Sequence, residues 1–185
     1  YIMSLGGSEA ESGGPLDVEG DAHTLTDSRD GSSGLAVNLY PILNAPMSLD
    51  HLEISEQPFH SGIIPVLHAP TPSHLGDLST NVYAEITGVL DIPETGNYVL
   101  RLVSDDGGRL YLNDRLLIDN DGLHAPEARD SEQILEAGAY PIRVTYFQGA
   151  GGGAVSLQWA PHGADAFSVI PEEVLRYNQS DLRET

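Results

Sequence analysis

Val103-Ser104-Asp105-Asp106-Gly107-Gly108-Arg109-Leu110-Tyr111-Leu112-Asn113-Asp114 is the stretch on which the reading of this chain turns. Before it, residues 98–103 (YVLRLV) have the composition of a strand. Two adjacent carboxylates then meet a glycine pair. In an extended strand, neighbouring side chains point to opposite faces. Two carboxylates that act together therefore need an unusual backbone, and a hard cation is the simplest reason to build one. Calcium takes several oxygen ligands and offsets the repulsion between neighbouring carboxylates. An acidic hairpin turn is the competing reading, because Asp and Gly are common turn residues.

Working outward, the pattern is β throughout. Residues 35–40 (LAVNLY) form a first strand ended by Pro41. Residues 47–79 are rich in Pro, Gly and His and read as a long loop with short strands. Val82, Ala84, Ile86, Gly88 and Leu90 alternate with more polar residues, as in a half-buried strand. After a turn at residues 93–96 comes the strand at 98–103. Residues 109–112 and 116–119 flank Asn113-Asp114, a hairpin signal. Residues 120–130 read as a polar loop, 131–136 as a strand, 140–147 as a strong strand, and 149–153 as a glycine-rich loop. Residues 154–159 alternate again. Residues 169–177 close the domain, with Pro171 placed like the first residue of a short helical turn. Many short strands separated by turns predict an all-β, antiparallel two-sheet sandwich or barrel with long loops.

Composition narrows the functional classes. Asp and Glu number 28 against 8 Lys and Arg, for a formal net charge of −20, and every basic residue is arginine. Such a surface repels nucleic acid and anionic membranes. It suits a salty or extracellular setting, so the expected location is secreted, periplasmic or cell-surface; a genome-wide composition bias is the alternative explanation. No cysteine is present, which excludes disulfides and thiolate metal sites. No run has the length of a transmembrane helix, and none reads as a signal peptide.

The expected domain plan has four parts. Residues 1–7 (YIMSLGG) form an apolar stub ending in glycines. Residues 8–33 hold seven acids against one base and read as an acidic flexible linker. Residues 34–178 form the sandwich, and 179–185 a C-terminal tail. The chain opens on Tyr1 rather than Met, as a fragment or processed form would. The stub resembles the last turns of the C-terminal helix of small c-type cytochromes. That likeness implies an upstream electron-transfer domain and a redox parent that this module tethers to a polysaccharide. A disordered end is the alternative.

Three runs, VSDDGGRLYLNDRLLIDNDG, LEAGAYPIRVTYFQGAGGGAVSLQW and VIPEEVL, together resemble the protective-antigen-fourteen domain family over residues 34–178. The resemblance implies a β-sandwich found in toxins, glycosidases and adhesins, often as a carbohydrate-binding module. In the family's lectin members the paired Asp is joined by a cis peptide, so that both carboxylates face one calcium. The matching residues here are Asp105 and Asp106. Lectin members complete the site from the glycine-rich loop, which maps to the Gln148 amide oxygen and to backbone carbonyls such as Gly149, Gly151 and Gly152. Many members carry Asn where Gln148 stands here. Two sugar hydroxyls then take the remaining calcium positions.

Other residues carry two readings. Asp119 and Asp121 either hold a second cation or organise their loop through Asx turns, the second being favoured. Asp121 and His124 are candidate ligand contacts, although a lone His is more often structural. Trp159, Tyr111 and Tyr146 read as core or rim residues before sugar platforms. His51, His60, His68 and His74 match no zinc spacing. There is no Gly-x-Ser-x-Gly elbow and no P-loop, and glycosidase carboxylates stand about 5–9.5 Å apart rather than adjacent. The expected function is a non-catalytic, calcium-dependent, lectin-like accessory module linked covalently to neighbouring domains. Its partner is a mono- or polysaccharide. A structural or protein-docking domain, whose loops calcium only stiffens, is the alternative.

Overall fold

A computed structural model of the chain describes residues 31–71 and 80–185. The stub at 1–7, His74 and nearly all of the linker at 8–33 lie outside these residues. Thirteen strands are described: β1 Ser32–Ser33, β2 Leu35–Pro41, β3 His60–Ile64, β4 His68–Ala69, β5 Val82–Ile92, β6 Gly96–Asp105, β7 Gly108–Leu112, β8 Arg115–Asn120, β9 Glu127–Leu135, β10 Gly138–Gln148, β11 Ala154–Pro161, β12 Ser168–Val169 and β13 Leu175–Tyr177. They build two antiparallel sheets. The larger runs β1-β13-β5-β10-β7-β8, with β2 on β5 and β3 on β2; the smaller runs β12-β11-β6-β9, with β4 on β11. The all-β, two-sheet expectation holds.

Alternation sets the core. Along β5, odd and even positions separate cleanly into buried and half-buried residues, as they do along most of β6. Ala84, Ile86 and Leu90 of β5, with Val144 of the neighbouring β10, share one core with Leu100 and Leu102 of β6 and Leu157 of β11 from the other sheet. Each fully buried aliphatic side chain contributes about 1.5–3 kcal/mol. Trp159 is 6% exposed and packs on Tyr98 with ring centroids 5.6 Å apart, which makes it a core residue. Asn113 and Asp114, with φ of 49° and 59°, form the tight β7–β8 turn that right-handed strand twist favours.

Four boundaries differ from the sequence reading. The residues taken as a loop at 120–130 end in strand: β9 starts at Glu127 and pairs with β6 through Ser104↔Glu127. β9 is a polar edge strand, and only Leu135 within it is buried. Its pairing comes from the backbone ladder and from cross-strand contacts, such as the Arg101 fork on Asp130 at 2.7 and 2.9 Å. Apolar periodicity therefore does not reveal its first half, residues 127–130. The linker ends earlier than residue 33, because Ser32 and Ser33 pair with Tyr177 and Arg176. Residues 179–185 are docked on the domain: buried Asn38 donates to the Asp181 carbonyl at 2.8 Å and accepts from the Arg183 amide at 3.1 Å. Pro171 occupies the N-cap position of the short turn at Glu172–Val174 rather than its first helical position.

Gly88 marks a close packing of strand against strand. A Cβ there would lie 2.6 Å from the Arg176 carbonyl oxygen and 2.6 Å from Leu35 Cδ2. Gly88→Ala is predicted to lower stability by about 1–3 kcal/mol, seen as a lower urea midpoint with unchanged slope. An unchanged midpoint would show that β13 can move away from β5 without cost.

Candidate functional site

The site lies where the chain changes sheets. β6 belongs to the smaller sheet and β7 to the larger, so residues 106–107 cross between them. Residues 149–153 make the return crossing, from β10 to β11. Because β7 pairs with β10 and β6 with β11, the two crossings run side by side. Distant parts of the chain are thereby brought together: the Gly149 amide donates to Asp106 Oδ2, 43 positions away, at 2.9 Å, and the Phe147 amide to the Gly107 carbonyl at 2.9 Å.

The Asp105–Asp106 peptide is cis, as the resemblance implied. Asp106 is 7% exposed and Asp105 half-buried. Burial raises the Asp105 carboxyl above the ordinary carboxylate range, the charge of Asp106 raises it further, and His124 opposes both. Negative charge is thus gathered at the corner beyond what its surroundings neutralise.

Tyr146 fastens this corner. Its buried hydroxyl lies 2.6 Å from the Asp105 carbonyl and 2.9 Å from Gln148 Oε1. Gln148, itself 1% exposed, donates through Nε2 to the Gly152 carbonyl at 2.7 Å. The Gly149 carbonyl accepts from the Asn81 amide at 3.0 Å. Gln148, Gly149 and Gly152 therefore brace the loop from within, whereas Gly151 is exposed with φ of 96°. A Cβ at Gly153 would collide with Gln148 Oε1 and come within 2.8 Å of the Tyr146 hydroxyl, so the loop closes here only over glycine.

Asp119 and Asp121 do meet a cation, but it is a guanidinium. Arg109 Nε binds Asp119 Oδ1 at 3.0 Å and Nη2 binds Asp121 Oδ2 at 3.1 Å, while its fork also grips Asp50 at 2.7 and 3.0 Å. Asp121 Oδ1 accepts the Leu49 amide at 2.8 Å, tying the 48–51 segment to the site. Asp119 also accepts the Asp121 amide at 3.2 Å, which is the Asx arrangement expected of it. Arg109 was not singled out as a site residue in the sequence reading. Its signal was the hairpin, whose register sets Arg109 opposite Asp119.

His124 lies half-buried with Nε2 2.9 Å from the Asn120 carbonyl and Nδ1 2.9 Å from the Ala125 carbonyl. Burial works against its charge, but the two carbonyls, Glu127 and Asp106 outweigh burial and raise its pKa. Asn120, buried, donates to Ser104 Oγ at 2.8 Å and to the Glu127 carbonyl at 3.0 Å, joining the hairpin return to the end of β6. Leu123 and Met47, 52% and 65% exposed, lie in the loops beside the corner. Among the described residues, no group of three or more His, Asp or Glu side chains is arranged to hold a metal. A cation at the corner would thus rest on two carboxylates and neutral oxygens. Tyr146→Phe is predicted to cost about 1–3 kcal/mol, because the Asp105 carbonyl and Gln148 amide lose a buried partner. A urea midpoint equal to wild type would contradict this bracing role.

A sequence profile of the PA14 domain matches residues 46–173. Among solved structures, the PA14 domain of the MpAFP antifreeze protein superposes with a TM-score of 0.68 at 15% identity, over 82% of this chain and 95% of that one. A PA14 sugar-binding domain from an RTX adhesin gives 0.64 at 18% identity, over 79% and 99%. An anti-sigma factor domain-containing protein gives 0.66 at 22% identity, over 83% of this chain and 51% of that one, so this chain spans about half its length. These identities speak to the fold. Comparison with curated proteins gave no match. With the profile covering more than half of its residues and the two-sheet architecture in agreement, the chain belongs to the PA14 domain family.

Proposed function

We propose that this domain is a carbohydrate-binding accessory module of a larger protein, and that Asp105 and Asp106 bind sugar through calcium. The observation that carries the proposal is the corner itself. Two adjacent carboxylates, one with its acidity weakened by burial and by its neighbour, meet a glycine-rich loop with an exposed edge. The RTX adhesin relative of the same fold is a sugar-binding domain, which supports the reading.

The donor set fits a hard cation. Both carboxylates and the neutral oxygens of residues 148–153 are oxygen ligands, and relief of the Asp105–Asp106 repulsion favours binding. Calcium, when bound, offers open positions to a pair of sugar hydroxyls. The chain's own part is to orient these groups. The Gly149 amide fixes the Asp106 carboxylate, the Tyr146 hydroxyl holds the Asp105 backbone, and Arg109 anchors the loops on either side. With few charged ligands, calcium affinity belongs in the range of extracellular modules, roughly 10⁻⁴–10⁻³ M or somewhat tighter. A secreted, periplasmic or cell-surface setting suits that affinity and the acidic surface. No helix among the described residues is long and apolar enough to cross a membrane.

A second reading is a structural or docking domain. The internal bonds of Gln148, Gly149 and Gly152 favour it, since these groups already have partners. Calorimetric titration of calcium, and then of monosaccharides with and without chelator, separates the two. Sugar binding that chelator abolishes supports the lectin reading. Calcium-dependent stabilisation without sugar binding supports the other.

Two outcomes are expected. Asp106→Asn weakens calcium binding at least tenfold; unchanged affinity removes Asp106 from the site. The second concerns pH. The folded pKa of Asp105 is raised, so its protonated form is favoured by folding. Its contribution is fully present below the ordinary carboxylate pKa and is lost as pH rises through the folded value. In chelator, Asp105→Asn should therefore be more stable than wild type at neutral pH and equal to it in acid. Saturating calcium should reverse the neutral-pH difference, and equal denaturation midpoints in both conditions would sink the idea.

A further inference from the structure

The outer face of the larger sheet carries a second candidate site. Tyr83 of β5, Arg143 and Thr145 of β10, and Tyr111 of β7 lie side by side there, in register with Thr87 opposite Arg143 and Arg143 opposite Tyr111. Leu49, Leu52 and Ile54 form the facing wall of a cavity of about 230 Å³, to which Arg109 also contributes. A second cavity of about 240 Å³ adjoins it, sharing Arg143 and Tyr111 and including Thr87.

Arg143 is the informative residue. In a chain with 28 acids and 8 bases, Arg101, Arg109, Arg129 and Arg176 each grip a carboxylate. Arg143 instead lies over the Tyr111 ring, with Cζ 3.9 Å from the centroid. Among the described residues it has neither a carboxylate within salt-bridge distance nor a hydrogen-bond acceptor. A stacked guanidinium keeps its N–H groups in the ring plane, in a fork that matches a carboxylate. Holding such a charge half-buried without an acceptor is unfavourable. A second unmet polar group stands directly across the ladder: Thr87 Oγ1 is buried and without a hydrogen-bond partner.

We propose that this groove binds a sugar bearing a single carboxylate, a hexuronate. Its carboxylate lies in the Arg143 fork with the Thr87 hydroxyl beside it, and its ring packs between Tyr83 and the wall formed by Leu52 and Ile54. The surrounding acids select for one negative charge. Glu85 stands opposite Thr145, and Asp114 and Asp181 line the adjoining cavity. They repel a second anionic group and accept hydrogen bonds from hydroxyls. The first cavity suits one monosaccharide-sized ring and is smaller than typical drug-binding pockets of about 300–1,000 Å³. The groove contains neither Asp105 nor Asp106 and does not depend on calcium.

The test is titration of the whole chain in chelator with glucuronate, glucose and acetate, followed by NMR. Glucuronate should saturate the site, with glucose and acetate each at least tenfold weaker. Shifts should centre on Tyr83, Thr87 and Tyr111 and spare Gly149. Arg143→Gln should weaken glucuronate at least tenfold without lowering the melting temperature. Arg143→Lys, which keeps the charge but loses the fork, should weaken it at least threefold. Acetate binding as tightly as glucuronate, an unchanged Arg143→Gln affinity, or no saturation would overturn the proposal. So would binding that requires calcium, which would place the sugar at Asp105 and Asp106 instead. If Arg143→Gln fails to fold, the shift map of the unmodified chain decides.

Discussion

Two chain crossings at one corner of the sandwich govern the arrangement of the acidic site. β6 leaves the smaller sheet at Asp105 and β7 enters the larger at Gly108; β10 leaves the larger at Gln148 and β11 enters the smaller at Ala154. Strand pairing sets these crossings against each other, and backbone groups must then find partners away from the ladders. They do so through the Gly149 amide on Asp106 and the Tyr146 hydroxyl on the Asp105 carbonyl. Glycines at 107 and 153 are required by contact: side-chain atoms of Phe147 and Asp121 crowd the first, and Gln148 and Tyr146 the second. The same geometry that closes the sandwich thus concentrates two carboxylates at a loop with an open edge.

Charge is distributed unevenly around that corner. Arg109, 14% exposed at its side chain, gathers Asp50, Asp119 and Asp121 and ties the 48–51 segment to the β8–β9 connection. Its pKa is raised, chiefly by the hydrogen bonds of Asp50 and against the opposing effect of burial. Three carboxylates there have a resident cation. Among the described residues, Asp105 and Asp106 form no ion pair with an arginine, and the charge that acts on Asp105 is that of His124, turned towards two carbonyls. This contrast gives the acidic pair its character as a cation-binding candidate and Asp121 its character as a strut.

Much of this was legible in the sequence. The alternation of Val82, Ala84, Ile86 and Leu90 identified β5 because one face of that strand is in the core. Asn113-Asp114 identified the β7–β8 turn because both residues tolerate positive φ. The second half of β9 was legible at residues 131–136, but its start at Glu127 escaped, because EARD has no buried residue to leave a periodic trace. The docked segment at 179–185 escaped for a related reason. It is held by Asn38, 143 positions away from Asp181, and by Ser61, 122 positions away from Arg183, and such contacts have no local signature. The Arg143 groove was equally hidden, since whether an arginine meets a carboxylate or an aromatic ring is a property of space and not of composition.

Local chemistry alone was enough to specify an all-β chain, its main strands, its acidic surface and a carboxylate pair beside a glycine turn. Those features depend on side-chain periodicity, backbone preference and charge, which act over a few residues. Folding decided that Gln148 would brace a loop, that Arg109 would neutralise Asp119 and Asp121, and that Gly149 would meet Asp106. These outcomes required strands from two sheets to pair in register, and register is a long-range agreement between backbones that no single segment encodes.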